Sequence, residues 1–271
     1  VRPTSSESGQ HNILPAHWPL PISTHFGLGR VHDLPSILRD ELKAERPLVV
    51  CDGNLANTPV IAQIQEILSS SGINFSLFSD VVSNPTDVNV EDGRRAFLEH
   101  RADSLIAVGG GSGLDAGKSI AMVSPIFIDR SFPGLPTKYF ALDELEWTKD
   151  EPALEAGTRL PPVITIPTTS GTGAEMDSAS MYTDTTQNVK LCVRHSALPL
   201  QTILDPMLTV SLPKKLTAWT GMDALTHAME AFLSNTPDGM FGAPIHDAVA
   251  LEAMRLISLH LLDAVQQPDD V

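Results

Sequence analysis

Two clusters of residues in this 271-residue chain have the types and spacing to do chemistry. The first is Gly109-Gly110-Gly111-Ser112-Gly113-Leu114-Asp115-Ala116-Gly117-Lys118, fed by the apolar run Ser104–Val108 and left by a helical pattern from Ser119 to Val123. Successive glycines let a backbone turn sharply and bring bare N–H groups close to an anion, and a following helix adds partial positive charge at its start. Such a loop suits the phosphates of a nucleotide. The second cluster is Asp223 and His227, four residues apart in a helical run. One helical turn rises about 5.4 Å, so a carboxylate and an imidazole on the same face can grip one borderline divalent cation. An ordinary helical Asp–His pair satisfies the same spacing.

The loop matches neither common phosphate fingerprint in full. Gly111 to Ala116 fits G-x-G-x-x-A, but that pattern wants an acidic ribose partner about 20 residues on, at the end of the next strand. The candidate there, Asp129, has no clear strand before it. Gly117-Lys118-Ser119 resembles the end of a P-loop, yet the required upstream glycine is Ser112.

These clusters need elements to hold them. Apolar runs at Leu48–Cys51, Asn74–Phe78, Ser104–Val108, Val163–Ile166 and Thr202–Leu204 read as strands, with helices between the first three around Val60–Leu68 and Val90–His100. A short strand and turn at His25–Arg30 precedes a helical pattern at Leu34, Ile37, Leu38 and Leu42. The strands are continuously apolar, which marks a parallel sheet covered on both faces. Residues 125–160 read as an irregular excursion with a short helix at best, and hairpin-like segments follow around Met181–Thr183 and Lys190–Val193. After Leu212-Pro213 the pattern becomes helical, over Thr217–Phe232 and then Asp247–Val265, with Ala250, Met254, Ile257 and Leu261 on one face. The expected fold class is therefore α/β: a lead-in at residues 1–24, an N-terminal dinucleotide-binding parallel-sheet domain at 25–212, and the start of an all-α domain at 213–271.

A formal charge of −15 argues against nucleic acid or an anionic membrane as partner. Two cysteines, Cys51 and Cys192, supply neither a disulfide framework nor a thiolate metal cluster. With no basic leader followed by an apolar stretch, the cytoplasm is the expected compartment.

Four motifs in order, Gly109–Lys118, Pro167-Thr168-Thr169-Ser170-Gly171-Thr172-Gly173-Ala174-Glu175, Asp205–Pro213 and Gly221–Glu230, closely resemble the iron-containing (group III) alcohol dehydrogenases. The resemblance runs from about Phe26 onward. It implies an NAD-linked, metal-dependent oxidoreductase acting on a small alcohol, aldehyde or ketone, and a homo-oligomer. It places the pyrophosphate on Gly110, Gly111 and Ser112, with Asp115 and Lys118 completing the loop region. Thr168, Thr169 and Thr172 border the cofactor, Asn84 and Lys190 contact it, and Asp52 is the acid for the adenosine ribose. Asp223 and His227 match the first two ligands of an Fe²⁺ ion, with Zn²⁺ possible. The family's further histidine ligands and proton-relay histidine fall beyond the position of Val271, so the catalytic residues are unassigned; neither His246 nor His260 has a matching context. Departures from the family pattern are Gly113 for a common proline, Ala174 for a common serine, and Asp177 for a small hydroxyl residue. Alternative readings are a zinc glycerol dehydrogenase or dehydroquinate synthase relative, and a non-catalytic NAD-binding fragment.

Overall fold

Strands whose side chains are apolar at every position must be buried on both faces, and the computed structural model, which describes residues 22–128, 140–234 and 244–268, shows how. Ten strands are present among those residues: β1 (Ser23–Phe26), β2 (Pro47–Asp52), β3 (Ser76–Val81), β4 (Ser104–Gly109), β5 (Ile126–Phe127), β6 (Thr158–Arg159), β7 (Val163–Pro167), β8 (Ala179–Asp184), β9 (Val189–Arg194) and β10 (Leu200–Leu204). Six of them form one sheet in the order β1-β10-β7-β4-β2-β3, every pair parallel. Along β2, Leu48 and Val50 join one apolar cluster while Val49 and Cys51 join the other; along β4, Leu105 and Ala107 face the first and Ile106 and Val108 the second. Period-two alternation thus persists, but both faces are dry, and each fully buried Leu, Ile or Val contributes about 1.5–3 kcal/mol.

Helices α1 (Leu34–Ser36, running on through a π turn to Glu41) and α2 (Pro59–Ser70) cover the second cluster; α3 (Asp87–His100) and α4 (Gly111–Met122) cover the first. The chain passes from β2 through α2 out to β3 at the sheet edge, then returns through α3 to β4 on the opposite side of β2. The crevice at the carboxyl ends of β2 and β4 is therefore a topological switch point, where open α/β sheets bind ligands. Helices α5 (Lys214–Leu233) and α6 (Pro244–Gln266) pack against one another, closely enough that a Cβ on Gly221 would lie 2.2 Å from Leu261 Cδ1. No helix of the described residues is long and apolar enough to cross a membrane.

Several expectations are corrected. The glycine run is not a ten-residue loop followed by a helix from Ser119: α4 already begins at Gly111, and only Gly109 and Gly110 turn. Gly117 then serves packing, since a Cβ there would lie 2.5 Å from Ala107 Cβ. The strand at the sheet edge takes in Ser23 and Thr24, which were assigned to the lead-in, because both pair with β10. The strand expected over 74–78 lies at Ser76–Val81. Helix α3 starts three residues before Val90, where Thr86 Oγ1 accepts from Asn89 N and Asn89 Oδ1 accepts from Thr86 N in a capping box. Within 125–160 lie β5, β6 and a 3₁₀ turn at Leu142–Leu145. Asp129 and the lead-in residues 1–21 lie outside the described residues.

The Asp-Pro after β10 is a structural pin. Asp205, 2% exposed, accepts hydrogen bonds from Gly29 N and Met207 N on Oδ1 and from Val31 N on Oδ2, each 3.1 Å. It ties the turn after β1 to the end of β10. Asp205→Ala leaves three backbone donors without this acceptor, of which that of Val31 is buried, and is expected to cost about 2–3 kcal/mol in urea denaturation. A loss under about 1 kcal/mol would show that water replaces the carboxylate.

Candidate functional site

At the carboxyl end of β4 the chain reaches Gly109 with φ +143°, a conformation essentially confined to glycine. Gly110 is extended and caps α4 without a side chain, so the first N–H groups of the helix, from Gly111 to Gly113, have neither an intrahelical partner nor a side-chain cap. They point toward an anion site with the helix dipole behind them.

The wall opposite comes from the loop after β7. Thr168, buried, donates its N–H to Gly109 O at 2.9 Å, which locks the two strand ends together. A Cβ on Gly110 would lie 3.4 Å from both Thr169 Oγ1 and Cγ2, and one on Gly111 would lie 2.9 Å from Thr172 Cγ2. Thr172 thus packs so closely on Gly111 that a side chain there would clash, while a Cβ on Gly110 would make ordinary contact with Thr169; this narrow gap is the slot between the helix start and the two threonines.

On the other flank, Asp52 ends β2. Its Oδ1 accepts from Asn54 N (2.9 Å) and Leu55 N (3.2 Å), while Oδ2 would lie 3.7 Å from a Cβ on Gly109. A carboxylate thus stands beside the loop on the neighbouring strand, upstream of it in the sequence. Burial, with the charge of Asp52 adding to it, pushes the adjacent Cys51 thiol up to about 12, so this cysteine stays protonated and inert. Asn84, at φ 55°, donates its N–H to Ser112 Oγ at 3.2 Å and accepts from Lys190 Nζ on Oδ1 at 3.2 Å. With its oxygen engaged as acceptor, the Ser112 hydroxyl has a proton to offer.

The structure brings Asp52, Asn84, Gly110, Gly111, Ser112, Thr168, Thr169, Thr172 and Lys190 together around the start of α4. It turns Asp115 and Lys118 elsewhere. Both side chains lie on the far side of α4, 14% and 0% exposed, with Asp115 Oδ1 3.3 Å from Lys118 Nζ. Burial raises the pKa of Asp115, and the Lys118 charge opposes that rise. The sequence spacing could not reveal this, because it treated residues 111–118 as loop rather than helix.

Asp223 and His227 lie one turn apart on α5, with Oδ1 and Nε2 3.9 Å from each other and side chains 44% and 50% exposed. The helix sits beside the cofactor loop through Gly171, where a Cβ would lie 2.9 Å from Thr220 O. That close approach was missed, although a glycine between Ser170 and Thr172 is the kind of residue that permits one. Thr220, Asp223 and His227 follow the i, i+3, i+7 stripe of one helix face. A carboxylate and an imidazole fit part of a divalent-metal donor set, but among the described residues no group of three or more His, Cys, Asp and Glu side chains could hold an ion. A cavity of about 840 Å³ lies between α5, α6 and the turn after β1, and its lining includes neither Asp223 nor His227.

A parallel sheet with an uncapped helix start at its switch point, an acid closing the adjacent strand, and an abutting helix bearing an Asp–His pair define an α/β fold of the dinucleotide-binding class. The chain belongs to the iron-containing alcohol dehydrogenase family: the model of that family matches residues 21–206, and the model of the C-terminal part of the Fe-containing alcohol dehydrogenase family matches residues 217–271. It is 31% identical to the NAD-dependent methanol dehydrogenase of Bacillus methanolicus over 253 residues, 93% of this chain and 60% of that protein. It is 34% identical to the 1,3-propanediol dehydrogenase of Klebsiella pneumoniae over 227 residues, 83% of this chain and 53% of that protein. Among solved structures, a sulfoacetaldehyde reductase from Bifidobacterium kashiwanohense in complex with NAD+ superposes with a TM-score of 0.77 at 25% identity, covering 95% of this chain and 62% of that one. The chain thus spans roughly half to three-fifths of the length of these relatives.

Proposed function

We propose that this chain carries the nicotinamide-dinucleotide site and part of the metal site of an oxidoreductase that moves a hydride between a small alcohol and its aldehyde or ketone. The observation that carries this reading is the slot between the uncapped start of α4 and Thr169 and Thr172, flanked by Asp52. The N–H groups of Gly111, Ser112 and Gly113 bind the diphosphate, the Ser112 hydroxyl donates to it, and Asp52 accepts from the adenosine ribose. Thr168, Thr169 and Thr172 wall the cleft, while Asn84 and Lys190 close its outer side. NAD+ held there would supply the hydride acceptor for oxidation of an alcohol carbon, and NADH the hydride donor for the reverse reaction.

Asp223 and His227 would hold a divalent ion, Fe²⁺ or Zn²⁺, whose bound form supplies Lewis acidity toward the substrate oxygen. The family resemblance puts the other ligands after the position of Val271. Calorimetric titration with NAD+ tests the reading, and absence of saturable heat or of thermal stabilisation would overturn it.

Asp52 sets the expected cofactor preference. A carboxylate hydrogen-bonds ribose hydroxyls and repels a 2′-phosphate, and charged hydrogen bonds contribute about 1.5–3 kcal/mol, so NAD+ should bind roughly ten- to a hundredfold more tightly than NADP+. Asp52→Asn keeps an oxygen for the Asn54 and Leu55 N–H groups while removing the charge. It should narrow the ratio of the two dissociation constants; equal affinities in the parent would remove Asp52 from the ribose.

A further inference from the structure

Lys118 carries a charge yet is fully buried, and burying an ammonium costs several kcal/mol unless it is well partnered. Its partners are specific. Nζ donates to Ala174 O at 2.6 Å and to Ala179 O, lies 3.5 Å from Asp177 O, and stands 3.3 Å from both Asp177 Oδ1 and Asp115 Oδ1. Asp115 shares its helix; every other partner belongs to the six-residue stretch from Ala174 to Ala179. That stretch continues directly from Thr172, whose Oγ1 accepts from Ala174 N at 3.2 Å. It also joins α4 a second time, where Ser180 Oγ donates to Asp115 O at 2.7 Å.

The two ends of α4 therefore act on the same loop. At the start of the helix, Gly110 and Gly111 are the residues that Thr169 and Thr172 approach. Two turns later, Lys118 holds the continuation of that loop from behind. The ammonium faces away from the cleft and has no surface to offer a ligand, so it can influence the dinucleotide only through the threonines.

We propose that Lys118 is a positioning residue for the dinucleotide: it pins residues 174–179 to α4 and so fixes the width of the slot between Gly110, Gly111 and the side chains of Thr169 and Thr172. This rests on the NAD reading above. Asp177 supplies the second carboxylate and braces the segment through Ala179 N at 3.0 Å, and its side chain is 63% exposed.

Two variants test this. Lys118→Met keeps the apolar stem and removes the ammonium; Asp177→Ser removes one carboxylate from a largely exposed position. Each is examined by calorimetric NAD+ titration, circular dichroism and amide hydrogen exchange. Lys118→Met is expected to weaken NAD+ binding at least tenfold and to speed exchange across residues 172–179, while exchange in α2 keeps the parent's rate. Asp177→Ser is expected to weaken binding three- to tenfold with unchanged helix signal. A folded Lys118→Met that binds NAD+ within twofold of the parent overturns the proposal. If Lys118→Met does not fold, Asp177→Ser decides alone, and parent-like affinity in it counts as refutation. If the parent itself does not bind NAD+, the functional reading falls. Pinning of the loop is then judged by exchange alone, and unchanged protection of 172–179 in both variants refutes it.

Discussion

Gly111→Val is expected to lower NAD+ affinity by at least about a hundredfold, close to 3 kcal/mol, while leaving the helix content of the chain unchanged. The backbone at Gly111 is helical, so valine meets no conformational bar there. The obstacle is spatial. A Cβ alone would lie 2.9 Å from Thr172 Cγ2 and 3.1 Å from its Oγ1, closer than side chains approach one another. Two further methyl groups must either drive Thr172 outward, widening the slot, or stand over the N–H groups of the helix start. Both outcomes remove the anion site, because its attraction depends on close approach of bare backbone. Gly111→Ala separates the two effects, since a single methyl displaces only the tip of Thr172 and should cost several-fold rather than a hundredfold. Calorimetric titration of the three proteins checks this, with circular dichroism as the folding control. Parent-like affinity in the valine variant would place the diphosphate elsewhere.

What the sequence made legible follows from how each signal is generated. Strands buried on both faces announce themselves by continuous apolar residues, which is why β2, β4 and β7 and their parallel arrangement were readable. The glycine run was readable as an anion site but not as a helix. Glycine statistics report turn propensity, whereas Gly117 is helical because tight packing on Ala107 overrides propensity. The family resemblance assigned Lys118 to the cofactor loop, whereas its ammonium is held by carbonyls and a carboxylate from 174–179. Those partners lie some sixty positions away in sequence, and no local pattern encodes them. Asp52 was reachable only through the family resemblance, since the dinucleotide fingerprint looks for its acid downstream. The face of α6 through Ala250, Met254, Ile257 and Leu261 was read correctly as apolar, but Leu251, Leu256, Leu259 and Leu262 on other faces are exposed by 43–64%. Those leucines alternate with Glu252, Arg255, Ser258 and Asp263, so period alone understates how much apolar surface the helix carries.

Four-ligand structural zinc sites are worth roughly 10–16 kcal/mol; two donors should supply about half, which corresponds to dissociation constants of roughly 1–200 µM. The Asp223–His227 pair is therefore expected to take up one Zn²⁺ or Co²⁺ in that weak range. The carboxylate and imidazole, 3.9 Å apart and about half exposed, are open to a hydrated ion without rearrangement of the helix. His227→Ala removes the softer donor and should weaken binding at least tenfold, with Asp223→Ala doing the same. His246 and His260 sit on α6, and His260 lines the apolar cavity rather than the Asp–His face. Replacing either with alanine should leave metal affinity unchanged, which makes the four variants a map rather than a single deletion. Equilibrium dialysis with elemental analysis gives affinity and stoichiometry, and Co²⁺ absorption reports the donor set independently of turnover. Tight stoichiometric binding that survives His227→Ala, or is lost in His260→Ala, would place the ion away from the Asp223 turn. The pair would then be an ordinary helical ion pair, worth about 0.5 kcal/mol at most.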